Sequence, residues 1–134
     1  MLQGYSENIT INAEQPIPYN NVSIEKGCTA KLIAPATIQF NKCGVYMVSF
    51  NMSASSATAG DISAQLSKNG VLQPQAIATQ SVEAGGTGNI SFLTLVQVPF
   101  NNSNCPCVSP TTVQVINSIA VTDADVNIVV TKVS

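Results

Sequence analysis

The alternation of apolar and polar residues along the chain predicts short β-strands, and it is clearest in the stretch NKCGVYMVSFNMSA. One register of this stretch, taken at every second residue, is apolar throughout: Tyr46, Val48, Phe50, Met52 and Ala54. A side-chain period of two is typical of a strand with one face on a hydrophobic core. We therefore predict that these five side chains point into the core.

The other register of the same stretch is only partly polar. It begins with Val45 and Met47 and continues with Ser49, Asn51 and Ser53. A strand whose second face lies in water is expected to be polar along that whole face. The apolar half of this register therefore indicates that a further surface covers it, and we interpret that surface as another copy of the same chain.

Eight segments are predicted to be strands, because they are short, rich in Val, Ile and Thr, and separated by turn residues. They are Ile9–Ile11, Thr37–Phe40, Val45–Ala54, Ile62–Ser67, Val71–Thr79, Asn89–Val98, Thr112–Ile116 and Val126–Val133. The pair Asn69-Gly70 lies between two of them and favours a two-residue hairpin. No window keeps the spacing of an amphipathic helix, so the chain is predicted to be all-β.

The length of 134 residues suits one domain with a two-layer core, and we expect a single jelly-roll domain over residues 1–134. About eight antiparallel strands close most naturally as a two-sheet sandwich, because one open sheet would leave an apolar face in water. A jelly roll is the favoured arrangement. Periodicity does not separate it from an immunoglobulin-like sandwich, although the absence of Trp removes one hallmark of the latter.

Charged residues make up only 9% of the chain, and the formal net charge is -2. Such a surface has no basic stripe for a phosphate backbone, so nucleic acid is not expected as a partner. No apolar run reaches the roughly 20 residues of a membrane span, so membrane insertion is not expected. The start, MLQGYSENIT, shows no signal peptide. We expect an excised domain, or a protein that leaves the cell by virion assembly and lysis.

The chain contains no histidine, which removes the usual general base and the commonest metal ligand. We therefore expect no enzyme activity and no cofactor. Asp123 and Asp125, in VTDADVN, are the best candidates for a calcium site, because hard oxygen ligands two residues apart in a turn can hold this ion. The alternative is a solvated turn before the last strand, and the rest of a calcium loop is missing.

Four cysteines form an even set in a small chain: Cys28, Cys43, Cys105 and Cys107. They are interpreted as disulfide partners, with a zinc site and free thiols as alternatives. If successive strands run up and down, Cys43 lies at the same end of the sandwich as Cys105 and Cys107. We predict that Cys43 comes closer to one of these two than Cys28 does, and that a disulfide forms if the Cα atoms approach within about 7 Å.

The segment from Gly44 to Asn51, GVYMVSFN, followed by Lys68-Asn69-Gly70, resembles a pattern of the tumour necrosis factor and complement globular-head superfamily. That pattern is a "G-x-Y-x-(V/I)-x-(F/Y)" strand with a later "N-G" turn. The segment PIPYN at 16–20 is similar to an early Pro and aromatic segment of the superfamily, and Val126–Val133 to its closing strand. In its low charge the chain is nearest to the knobs of bacterial collagen-like spore-surface filaments and bacteriophage fibres.

The resemblance implies a homotrimer of ten-stranded jelly rolls whose inner sheets meet around a threefold axis. Carried over to this sequence, it implies that four residues of one strand face the partner subunits: Val45, Met47, Ser49 and Asn51. The strand 89–98 divides in a similar way. Leu93 and Leu95 are expected to face the partners, and the residues expected to face the core are Phe92, Thr94, Val96 and Val98.

Taken together, the sequence predicts a non-enzymatic trimeric knob for trimerisation and for recognition of a surface receptor or glycan. As part of a phage or bacterial surface fibre it would be extracellular or at the virion or cell surface. The alternative is a monomeric carbohydrate-binding β-sandwich. That alternative needs an exposed aromatic platform, and aromatic residues make up only 5% of the chain.

Overall fold

The computed structural model describes residues 1–27, 29–98 and 111–134. These residues form ten strands, namely β1 (Leu2–Ile11), β2 (Asn21–Glu25), β3 (Ala30–Ala34), β4 (Thr37–Phe40), β5 (Gly44–Ser55), β6 (Gly60–Lys68), β7 (Val71–Val82), β8 (Thr87–Val98), β9 (Thr111–Asn117) and β10 (Val121–Lys132). Within these described ranges no helix has the length and apolar character that crossing a membrane requires.

The strands form two sheets of five strands each. The first sheet has the order β2-β1-β10-β5-β8, and the second sheet has the order β3-β4-β9-β6-β7. All pairings between neighbouring strands are antiparallel. The buried hydrophobic side chains of both sheets belong to one core cluster. This arrangement confirms the predicted all-β, two-sheet jelly-roll sandwich.

The sequence pattern misses β2 and β3 and starts β1 too late. Every residue of β2 is exposed, and Ala30 is the one buried residue of β3. The inward positions of β1 include Gly4 and Ser6, which interrupt the apolar alternation. Ser6 is nevertheless stable inside, because its hydroxyl donates to the Pro18 carbonyl over 2.9 Å and accepts from the Asn20 N–H over 2.8 Å. A search for alternating apolar residues therefore does not find β2, β3 or the start of β1, because their positions are exposed or polar.

The inward registers predicted for β5 and β8 are confirmed. Their buried residues are Tyr46, Val48, Phe50, Met52 and Ala54 in β5 and Phe92, Thr94, Val96 and Val98 in β8. The rings of Phe40 and Tyr46 stack with centroids 4.3 Å apart, and those of Phe50 and Phe92 lie 5.3 Å apart. Because Phe40 lies in β4, the first of these contacts joins the two sheets.

Two local features of the motif residues have a clear backbone cause. Asn69 and Gly70 connect β6 to β7 with φ angles of 51° and 84°, the left-handed conformation that a two-residue hairpin of type I′ requires. Gly44 begins β5 with a φ of 143°, and a Cβ at this position would lie 2.5 Å from a Ser134 oxygen. The predicted hairpin is therefore confirmed, and the glycine of the strand motif is sterically required.

The two ends of the sandwich differ in which strand ends they carry. We call the terminal end the one where the following residues meet: Leu2, Gly44, Val98 and Lys132. The far end is the opposite one, and it carries Ile11, Ser55, Thr87 and Val121. Each long strand of the first sheet thus has a terminal half and a far half.

Tyr19 carries a buried hydroxyl that makes no hydrogen bond to any other described residue. Burial also raises the pKa of this phenol above its ordinary value, so the group stays neutral. An unpaired buried hydroxyl costs free energy, which its removal recovers. We therefore expect Tyr19→Phe to leave the free energy of unfolding unchanged or to raise it by about 1 kcal/mol, measured by urea denaturation at one fixed protein concentration.

The matched control for Tyr19→Phe is Tyr46→Phe. The Tyr46 hydroxyl lies 2.7 Å from the Lys42 carbonyl oxygen and 3.2 Å from the Thr29 carbonyl oxygen. Removing this bonded hydroxyl should lower the free energy of unfolding by about 1 kcal/mol. An equal loss in both variants would contradict the absence of a partner for Tyr19.

Candidate functional site

The face of the first sheet that points away from the core is the candidate site. Its terminal half carries an apolar patch, which we define as Val45, Met47, Leu93, Leu95 and Val129. Met47 of β5 pairs directly with Leu95 of β8, while Ser49 pairs with Leu93 on one side and with Val129 of β10 on the other. Met47 and Leu95 are directly opposite and thus in contact distance. Leu93 and Val129 are diagonal neighbours of Met47, and Val45 is a diagonal neighbour of Leu95, which is within the reach of long side chains, so the patch is continuous across three strands.

The exposure of the patch is high for residues of this type. The side chains of Leu93 and Leu95 are 64% and 61% exposed, whereas Val45, Met47 and Val129 are half-buried. Large apolar side chains that cluster on one face indicate an interaction surface, whereas scattered ones do not. The patch is therefore a candidate contact surface.

The six residues predicted to face partner subunits all lie on this outward face of the first sheet. They are Val45, Met47, Ser49 and Asn51 in β5 and Leu93 and Leu95 in β8. Their contact with partner subunits stays a prediction. Sequence reasoning missed Val129, which follows the same rule as Val45: with Val126, Ile128 and Val130 buried, it is an apolar residue in the outward register.

The edge strands β7 and β8 of the two sheets differ in how regular they are. The edge strand β7 of the second sheet contains Pro74, and its pairing with β6 is interrupted by a register shift. Proline and irregular pairing discourage the addition of a further strand. The edge strand β8 of the first sheet has neither feature and pairs without interruption with β5 from Thr87 to Val98. Side chains of the second sheet nevertheless reach this edge near both of its ends: Lys68 Nζ donates to the Gln97 carbonyl, and the Asn89 N–H donates to the Gln80 side-chain oxygen, each over 2.7 Å. Leu93 and Leu95 lie between these two bonds.

The far half of the same face is a polar groove of about 750 Å³. Four strands contribute to it, and its lining includes Tyr5, Asn51, Ser53, Asn89, Ser91 and Asn127. Glu7, Asn8 and Asp125 also line it, and the Asn8 N–H donates to an Asp125 carboxylate oxygen over 2.9 Å. One face of one sheet is therefore apolar near the terminal end and polar near the far end.

Irregular pairing between β1 and β10 shapes one wall of this groove. The pairing of β1 with β10 shifts between Ser6 and Ile9, and the pairing of β10 with β5 shifts between Thr122 and Asp125. Asn8 has a positive φ of 53°, as expected at such a bulge. Glu7 follows the regular outward register of Tyr5, whereas the bulge redirects Asn8 out of the alternation and brings it to the groove.

The interpretation of Asp123 and Asp125 as a turn before the last strand is wrong. Both residues lie inside β10, and both are exposed. Asp125 lines the groove and is bonded to the backbone of Asn8, whereas Asp123 is not among the lining residues. In the described ranges no group of three or more His, Cys, Asp or Glu side chains that could hold a metal ion comes together. Asp123, the second candidate calcium ligand, therefore does not line the groove together with Asp125.

Cys43 is buried and disulfide-bonded, which rules out a free thiol or a zinc ligand at this position. Its three candidate partners, Cys28, Cys105 and Cys107, lie outside the described residues. Val98 pairs with Gly44, and Thr111 pairs with Phe40. The strand ends that flank residues 99–110 therefore lie beside Cys43.

The residue that follows Cys28 also lies at this end of the sandwich. The carbonyl of Thr29 accepts a hydrogen bond from the Asn41 N–H over 2.9 Å. Thr29, which follows Cys28, and the strand ends that flank residues 99–110 therefore all lie near Cys43. The closer approach of Cys43 to Cys105 or Cys107 stays a prediction.

No protein-family model and no curated protein sequence matches this chain. Solved structures do match in fold. The globular domain of zebrafish complement 1qA protein has a TM-score of 0.75 at 11% identity, over 99% of this chain and 96% of that chain. Murine APRIL at pH 5.0 has a TM-score of 0.68 at 6% identity, over 98% of both chains.

A third similar structure is the PRD1 vertex protein P5, with a TM-score of 0.57 at 15% identity, over 99% of this chain and 96% of that chain. At such identities a likeness is one of fold. The strand order, the register of β5 and these structures agree with the resemblance found in the sequence. The chain therefore has the jelly-roll fold of the tumour necrosis factor and complement 1q-like proteins.

Proposed function

We propose that residues 1–134 are one jelly-roll domain that assembles as a homotrimer through the apolar patch and acts as a non-enzymatic knob of a phage or bacterial surface fibre. Its role is trimerisation and recognition of a surface receptor or glycan, outside the cell or at the virion or cell surface. The observation that carries the proposal is the continuous apolar patch on the outward face of the first sheet.

The chemistry around the patch favours burial against another copy. The residues paired with its members are neutral, as Thr131 and Gln97 are for Met47 and Val45. A contact on these side chains therefore buries no unpaired charge, the costliest event in forming an interface, provided that the Lys68 ammonium, which donates to the Gln97 carbonyl over 2.7 Å at the edge of β8, stays hydrated. Each Leu or Met side chain fully removed from water contributes roughly 1.5 to 3 kcal/mol, and a threefold axis repeats that contribution in every subunit.

The edge of β8 between Asn89 and Gln97 supports the same surface. A long, regular edge strand with exposed Leu side chains is a site for unwanted association unless something covers it. A sister subunit that packs on the apolar patch would lie beside this edge and shield it. The protected edge of β7, which carries Pro74, has no such need.

The location rests on fold similarity and on the sequence resemblance. One similar structure is described as a vertex protein, and another as the globular domain of a complement protein. The disulfide at Cys43 is consistent with an oxidising environment, since disulfides persist outside reducing compartments.

The mass of the protein in solution tests the proposal directly. Native mass spectrometry and light scattering at micromolar concentration should give three times the mass of the chain. The apolar patch predicts that this mass is insensitive to salt, because no charge pair holds the contact. A monomer at micromolar concentration would contradict the proposal and favour the monomeric carbohydrate-binding sandwich.

A further inference from the structure

The polar groove in the far half of the first sheet has a lining that suits a neutral, hydroxyl-rich ligand. Asn51 and Asn89 carry amide groups, and Ser53 and Ser91 carry hydroxyl groups. The side chains of Asn51, Asn89 and Ser91 make no hydrogen bond to another described residue. Amides and hydroxyls supply both donors and acceptors. Vicinal hydroxyl groups of a sugar likewise donate and accept, so the two sets are complementary.

The charge of the groove excludes anionic ligands. Its two ionisable carboxyl side chains are Glu7 and Asp125, and no Lys or Arg lines it. An anionic sugar or a phosphate would meet like charges there without a cation to offset them. The half-buried ring of Tyr5 adds an aromatic surface on which the apolar face of a sugar ring can pack.

We propose that this groove is a binding site for a neutral saccharide. The proposal gives a ligand class to the recognition role proposed above and rests on that role. Because the groove is on the same face as the apolar patch, a trimer would turn three grooves toward the axis. The carboxylates of Glu7 and Asp125 oppose a dry contact there, since unpaired charges are costly to bury. The proposal therefore requires that the far half stays hydrated and that Asn51, which the sequence resemblance directs toward the partner subunits, lies outside the contact between copies.

Saturation-transfer difference NMR on the parent protein tests the site with defined probes. Glucose, galactose, mannose and N-acetylglucosamine are titrated separately, and N-acetylneuraminic acid serves as the anionic comparison. At least one neutral sugar should give a saturable signal with a dissociation constant on the order of 1 mM. The anionic sugar should give none. Absence of saturation with all four neutral sugars, or equal saturation with the anionic one, would overturn the proposal.

Two variants locate the binding. Asn89→Trp fills the groove with a large side chain and should abolish the signal. Asn127→Leu removes an amide at nearly constant volume and should weaken binding about tenfold. The matched control is Gln75→Trp, because Gln75 is exposed on β7 in the second sheet. Parent affinity in both groove variants would place the sugar elsewhere and overturn the proposal, and so would an equal loss in the control.

The mass of each protein separates this inference from the trimer proposal. A trimeric parent that binds none of the sugars would refute the groove and leave the assembly intact. A monomeric parent whose sugar signal is lost in Asn89→Trp would refute the trimer and support the groove.

Discussion

Met47→Asp is expected to convert the assembled trimer into folded monomer or aggregate. Met47 is in the middle of the apolar patch, between Leu95 and Thr131. In a trimer the substitution puts three carboxylates close to the axis, where little water is present to screen them. The lost burial of three Met side chains adds to this repulsion, and roughly 1.5 to 3 kcal/mol each is its upper limit, because Met47 is already half-buried within one subunit. Native mass spectrometry and light scattering measure the result.

Ile77→Asp is the matched control for Met47→Asp. Ile77 is an apolar side chain that is more exposed than the half-buried Met47, at 47%, and it lies on β7 in the second sheet. It should keep the mass of the parent protein. An intact trimer in Met47→Asp, or dissociation of both variants alike, would mean that the patch is not the contact between subunits.

Tyr46→Asp, one position earlier, is expected to prevent folding. Tyr46 is fully buried, and its ring stacks on Phe40 of the opposite sheet. Loss of a buried aromatic side chain costs about 3 to 5 kcal/mol, and the new carboxyl group would be buried without a partner. Their sum is comparable to the roughly 5 to 15 kcal/mol that stabilises a typical domain. Circular dichroism and urea denaturation should show no cooperative transition.

Met47→Asp is itself the control for Tyr46→Asp, because the two residues are neighbours on one strand. Circular dichroism should show the β-sheet signal in Met47→Asp and its loss in Tyr46→Asp. A folded Tyr46→Asp protein would contradict the assignment of this register to the core. Opposite outcomes at adjacent positions would demonstrate the two faces of β5.

The sequence by itself determined the features that depend on local alternation and turn chemistry. The inward register of β5 follows from a run of apolar residues that ends only at Ala54, and the hairpin at Asn69-Gly70 follows from the two residue types that accept positive φ. A side-chain period of two is a property of any extended strand, so it requires no knowledge of neighbouring strands. The apolar residues in the outward register of β5 were visible for the same reason.

Only the tertiary structure decided which strands lie next to each other and what their outward faces form together. The groove joins Tyr5 of β1 to Asn51 of β5, Asn89 of β8 and Asn127 of β10, and no local pattern connects these residues. Its wall depends on the bond between the Asn8 N–H and Asp125, across two bulged strands. Exposed polar side chains are solvated in many backbone conformations, so their spacing in the sequence does not predict which of them come together. Their convergence is therefore set by the long-range pairing of strands, which the packing of the core selects.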